Sequence, residues 1–492
     1  MMVCKTKNPI SSLRGSAIAY ALVIMAIVAI ILVSMLSYVT SQLKFSFNRV
    51  EKESAFQIAE AGTYYYRWYL AHATDGMNTQ QLKNFWTNNS TLGVPGPYET
   101  EYKDPETGET IGTYQISLTP PSGGSTVVYI TSTGWTNKAP NTKRTVQVRF
   151  RRPSWSEYIF LSNSFINFGN QAEVYGKVHS NFGIRFDGLA HNTVSSLPPT
   201  FNDSTYGGNR QEFGVHTTTN PADPGAPAYP WPDGTIPNRP DIFMGGRQFP
   251  SPEVSFTGVT ADLANMKSEA QAGQGRYFDD SGLGRRIILK NDGTYDICTV
   301  NSANSQTHAI SRYNRTSGSG TCTSCSGNCL SNYPIIDDGV IFVEDNTWVD
   351  GTINNKRVSV VAANLSGSGS SADIYIGTSN SNLRYASYDC NNMLGLVAQR
   401  DIRVLGTSPS DYIVDAALLA QSGLVGINDN GFSGKNSLTF NGAIASYLQP
   451  YFMHGNSGFA VRLYNYDNNL LYCPPPYFPT GTEYSIDLWE EL

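Results

Sequence analysis

Polarity changes abruptly along the first seventy residues. No charged residue occurs between Arg14 and Lys44, and positions 16–36 are almost wholly apolar. At ~1.5 Å per residue this run is long enough to cross a ~30 Å hydrocarbon layer. Lys5, Lys7 and Arg14 precede it, so the excess of positive charge keeps the first fifteen residues in the cytoplasm and sends the rest outward. The run is longer than the apolar core of a cleaved secretory signal. It leads without proline into a segment where Phe45, Val50, Phe56, Ala59, Ala61 and Tyr65 form an apolar stripe, with Glu51, Lys52, Glu53 and Glu60 on the other faces. The pattern predicts one helix over 16–72, of which only the first half fits in a bilayer.

Beyond the helix the period changes. Within 73–152, "GTYQISLTPP", "STVVYITSTGW" and "TKRTVQVRFRR" alternate apolar and polar positions between Pro, Gly and Asn clusters, which predicts three antiparallel strands in a small domain. From 153 to 492 many short apolar runs follow, such as "GVIFVEDNTWVDGTI", "RVSVVAANL", "ADIYIGT" and "LGLVAQRDIRVLG", each bounded by Gly, Asn or Asp. Close-spaced strands with no helix between them suit a β-sandwich or a β-solenoid; the short inward runs turning at small polar residues favour a solenoid-like body. A stretch at about 200–334 is rich in Pro, Gly, Asn and Thr and reads as an insertion, with one helix predicted from Thr260 to Ala272. The fold class is therefore mainly β behind one long helix.

Composition narrows the setting. A charged fraction of 15% and a net charge of -6 offer no basic surface for nucleic acid. Cys4 precedes the apolar run, whereas Cys298, Cys322, Cys325, Cys329, Cys390 and Cys473 all lie beyond it, in the compartment where disulfides form. Their pairing is open. "CTSCSGNC" has a spacing that resembles a metal loop, but it lacks a fourth near ligand, so disulfides are expected and no metal or other cofactor is assigned.

A basic leader ending at Gly15, an apolar half-helix and then "ESAFQIAEAG" at 53–62 resemble the amino terminus of type IV pilin-like proteins, in particular PilX-type minor pilins. Ser132 to Gly134 and the basic strand that follows resemble that family's head. The resemblance implies a leader at 1–15 that a prepilin peptidase removes between Gly15 and Ser16, methylation of the new amino terminus, and a helix motif carried by Glu53, Ala59, Glu60, Ala61 and Gly62. It implies other pilins, the pilus assembly platform and the inner membrane as partners, with the body outside and later at the cell surface. Tyr20 stands where most major pilins carry a glutamate, a departure suited to a subunit with no neighbour's amine to neutralise. "YGKVHSNFGIRFDG", "LGLVAQRDIRVLG" and "YDNNLLYCPPPYFP" also resemble a large β-helical domain that follows such leaders and implies no activity.

Two functions follow from these readings. The first is a minor pilin or pseudopilin-like component, at the tip or in low copy, displaying an adhesive domain to a surface ligand or glycan. The alternative is a tethered polysaccharide lyase or hydrolase, which needs carboxylates gathered on one face. Asp279 with Asp280 and Asp337 with Asp338 are adjacent pairs whose strand positions face opposite sides, and the histidines are scattered. No catalytic residue is assigned, and the expectation is a protein that is not an enzyme.

Overall fold

The computed structural model describes residues 13–74, 77, 79–88, 96–121, 127–151, 154–206, 208, 210–256, 259–280, 283–315, 321–322, 332–367, 371–479 and 484–492. Helix α1 (Leu13–Ala73) runs 61 residues without a break, about 90 Å at the standard rise. A second helix, α2 (Thr79–Asn88), follows it. The head sheet contains β1 (Tyr98–Lys103), β2 (Thr110–Thr119), β3 (Val127–Thr136) and β4 (Arg144–Arg151), all antiparallel neighbours in that order. Ile116, Leu118, Val128, Ile130, Val146, Val148 and Phe150 alternate onto one face, where Ile58, Tyr66 and Leu70 of α1 and Phe85 and Trp86 of α2 cover them.

A fifth strand completes this sheet. Ser485–Glu491 pairs antiparallel with β4, so the expected body of 153–492 ends short of that strand and the head is built from both ends of the described chain. The three strands expected in the head are β2, β3 and β4; β1 is an additional edge. Asp487 anchors the closing strand by accepting from Arg149 Nε at 2.8 Å and by an ion pair with Arg151, whose Nε lies 2.9 Å away. Arg151 also pairs with Glu157, which caps the first turn after the sheet together with Ser154. Trp155 N donates to Pro479 O at 3.1 Å. The chain thus leaves the head and returns to it at one place.

The body is built mainly of parallel ladders, each with one strand per turn of chain. One ladder runs Gly275–Phe278, Gly339–Val343, Arg357–Ala362, Met393–Ala398, Asp411–Ala420, Gly434–Ser446. It continues through Phe160–Ser162, Val178–Ser180, Val194–Ser196 and Arg247–Gln248. Stacked in register, Ile341, Val360, Leu396, Leu418, Ile444, Phe160, Val178 and Val194 make one inward column. The next column, Phe342, Val361, Val397, Leu419, Ala445 and Leu161, is buried on the other face. Burial on both faces is why these runs are continuously apolar rather than alternating. The pairings fit the solenoid expectation.

The order of turns differs from the order of the sequence. The first turns of the body, from Phe160, stack on its last, Gly434–Ser446 and Ser457–Tyr466. The chain therefore starts in mid-stack, winds to one end near Gln248, crosses to the opposite end near Gly275 and winds back. The crossing is made by the segment expected to be an insertion. Its helix α3 (Val259–Gln271) sets Leu263, Met266 and Ala270, with Phe256, on the outer apolar column. What composition marks as an excursion is, in this part, a cover.

Candidate functional site

Two places in the molecule are built for contact. The first is α1. From Ile18 to Val50 its large apolar side chains are exposed, among them Ile24, Val28, Leu32 and Leu36, and Tyr20 is 70% exposed within the same stretch. It is one helix long and apolar enough to cross a membrane. From Glu51 onward the helix is seated on the head. Ala55, Ala59 and Gly62 lie on one face, four and three residues apart, and are buried there. A Cβ on Gly62 would fall 2.3 Å from Ser132 Oγ, and one on Gly134 would fall 2.4 Å from both Ala55 O and Ala59 N. Small residues on both surfaces let the helix backbone lie directly against β3. Glu51, on the same face and nearly buried, accepts a hydrogen bond from Thr136 Oγ1.

The structure sorts the sequence motif into two sets. Ala59 and Gly62 make the seat; Glu53 is exposed, and Glu60 and Ala61 are half-buried. Glu51 and Ala55 are seat residues that the motif did not single out, although the i, i+4 spacing back from Ala59 contains both. Gly15 and Ser16 lie within α1 as helical backbone.

The second place is a polar cleft of about 200 Å³ on the body. It forms on the strands Ile374–Ile376, Ile402–Val404 and Val425–Ile427, which pair in parallel register. Ile374, Ile376, Ile402, Val404, Val425 and Ile427 point into the core, so Tyr375, Arg403 and Gly426 form the outward column. Gly426 bridges to Tyr451; a Cβ there would lie 2.4 Å from Tyr451 O, so glycine lets that segment close one wall. The opposite wall comes from the tip of the hairpin Thr294–Ala303 and Ile310–Arg315. Trp348 Nε1 donates to His308 O and Asn428 Nδ2 to Gln306 O, each at 2.9 Å, which pins the tip down. The His308 ring stacks on Tyr375 with centroids 4.5 Å apart.

Each carboxylate of the cleft accepts from an arginine or tyrosine within it. Arg400 pairs with Asp373 through Nε, at 2.8 Å, and through Nη2. Tyr375 OH donates to Asp373 Oδ2 at 3.1 Å. Arg403 donates to Asp401 Oδ2 at 3.1 Å and to Tyr451 OH at 3.2 Å, and Tyr451 OH donates to Asp429 Oδ2 at 2.8 Å. Burial pushes the His308 imidazole below its ordinary pKa, so it is neutral at pH 7.

The other ionisable residues fall in structural settings. His179 bonds Ser195 Oγ at 3.0 Å and Asn181 Oδ1 at 3.1 Å, and it is buried beside the Tyr158 ring. Arg285 Nη2 donates to Asp279 at 3.0 Å, while Asp337 and Asp338 both serve Arg357, so neither adjacent pair forms a two-carboxylate site. Among the described residues no group of three or more His, Cys, Asp or Glu is placed to hold a metal. Cys390 and Cys473 form a disulfide across 83 residues, and Cys298 is also disulfide-bonded. Cys322 belongs to the short strand Thr321–Cys322; Cys325 and Cys329 lie outside the described residues.

No family model matches the sequence, and no curated protein matches it. Among solved structures, the competence-associated pilin ComZ from Thermus thermophilus aligns over 90% of this chain and 97% of its own, at 14% identity and a TM-score of 0.30. A likeness of that degree transfers neither fold nor role.

Proposed function

We propose that the chain is a pilin-like subunit of a type IV pilus-like filament, of the minor pilin kind, present at the tip or in low copy and displaying its β-body as an adhesive domain. One observation carries the reading: a single unbroken helix is apolar and exposed along its first half, while its second half is fitted to a small antiparallel sheet by Ala55, Ala59, Gly62 and Gly134. Such a helix serves first as a membrane anchor and then as a packing surface for sister helices. Processing between Gly15 and Ser16 belongs to this reading, with prepilin peptidase, other pilins and the assembly platform as partners. The body is far bulkier than the head, which favours a position where copies need not stack.

Within this proposal the body binds rather than catalyses. The carboxylates of the cleft are each engaged by arginine or tyrosine donors, which supports recognition over acid–base chemistry. The test is mass spectrometry of membrane and fibre fractions together with immunogold labelling of the body. Ser16 as amino terminus with label at fibre ends or sparse points is expected. An intact peptide bridging Gly15 and Ser16 in fibres, or even labelling along the shaft, defeats it.

A further inference from the structure

The groups left over in the cleft indicate what it takes. Arg400 Nη1, the His308 ring nitrogens and the Asn430 side-chain amide make no hydrogen bond among the described residues. The guanidinium donates only, whereas the amide and the neutral imidazole each donate and accept. Hydroxyl groups, which do both, are the complement of such a set. Three carboxylates (Asp373, Asp401 and Asp429) face two guanidiniums (Arg400 and Arg403), so the cleft has no surplus positive charge with which to hold a phosphate, sulfate or uronate. Its carboxylates are spent on those guanidiniums and on Tyr375 and Tyr451, which leaves little for an ammonium. The space is that of about six or seven waters in the liquid, enough for one ring-sized polar molecule.

The walls are preorganised, which lowers the entropy cost of binding. Tyr375 is buried between Trp348, at 4.9 Å, and His308, at 4.5 Å. Tyr451 is fixed by Arg403 and Asp429, and the hairpin tip is held at two points. We infer that this cleft binds an uncharged sugar residue of a glycan or polysaccharide, with Arg400 Nη1, His308 and Asn430 meeting its hydroxyls. The inference supplies a ligand class for the display role and rests on that reading only for its setting, since binding needs no filament.

The experiment uses the full chain in detergent on an array of neutral, amino and acidic glycans, beside Asn430→Ala and His308→Ala. Asn430 is exposed, so its replacement leaves the fold intact; circular dichroism checks both variants. Retention of neutral glycans is expected, weakened about tenfold by each substitution, the loss of one hydrogen bond to an uncharged partner. Retention of acidic or amino glycans alone, no retention at all, or an Asn430→Ala chain that binds as the parent does, overturns it. A chain that holds neutral sugars but is missing from fibres removes the filament role and leaves the cleft; a fibre subunit that holds none does the reverse.

Discussion

The head and the body both bury sheet faces, but they do so by opposite means. In the head an antiparallel sheet is covered by α1, and contact depends on side chains that are missing: Gly134 lets β3 meet the helix backbone at Ala55 and Ala59, Gly62 leaves room for Ser132 Oγ, and Gly112 leaves room for Ile58 Cδ1. In the body a parallel ladder is covered by its own turns and by α3, and contact depends on side chains that recur in register, such as Val360, Leu396 and Leu418. A fit made by absence is broken by adding one carbon. A repeating column spreads damage over neighbouring turns.

The comparison can be broken most severely at Gly134. Gly134→Val places a branched side chain against the backbone of Ala55 and Ala59 and is expected to cost the head about 3 kcal/mol, the upper end of the usual range for overpacking. Hydrogen exchange should show β3 and β4 unprotected while the ladder through Arg357–Ala362 stays protected. Loss of protection in both would mean that the two regions fold as one unit.

A smaller effect is expected in the body. Replacing Cys390 and Cys473 together by Ser opens an 83-residue closure and should lower stability by about 2–4 kcal/mol. Denaturant unfolding followed by exchange should place the loss in the body, with head protection unchanged. At the junction, Asp487→Ala leaves Arg149 and Arg151 without the carboxylate they share. The site is partly exposed, so the expected loss is about 1–3 kcal/mol. It should appear as faster exchange in Ser485–Glu491 and not in the ladder.

The last effect is a slope with pH and not a constant offset. Asp350 is 1% exposed, and burial pushes its pKa up to about 7 although Arg286 lies 3.4 Å away and Thr378 N donates to it. Raised above its ordinary value of about 3.9, this group stabilises the fold most when protonated, below about pH 4. That contribution is lost as pH rises to about 7 and is level beyond it. Asp350→Asn removes the dependence, so its Tm relative to the parent should climb between pH 4 and 8, whatever constant offset comes from leaving Arg286 alone. A difference that is flat with pH would refute the assignment.

Legibility in sequence followed the range of the forces involved. α1 was readable because apolar content and stripe are local, and β2, β3 and β4 because their alternation is local too. β1 escaped notice since "YETEYK" is a mostly exposed, charged edge with little apolar face. The closing strand was unreadable as part of the head because its partner is far away in sequence: Arg149 and Asp487 are 338 residues apart. α3 was placed by its helix formers, but its task as a cover depends on the outer column that it meets. No motif marked the cleft as a site, although Arg400, Asp401 and Arg403 stand within "LGLVAQRDIRVLG". Its residues come from a hairpin tip, successive turns and a return segment, and only the register of the ladder brings Tyr375, Arg403 and Tyr451 together.

The return of the chain to β4 sets an order on the making of this molecule. A sheet whose last strand follows the whole body cannot close while the body is still being synthesised, because its edge lacks a partner. Shortened products keep α1 and its seat and still present an open edge on β4. Completion of the distant domain is thereby written into the proximal one: the head is whole only in a chain whose body is already complete.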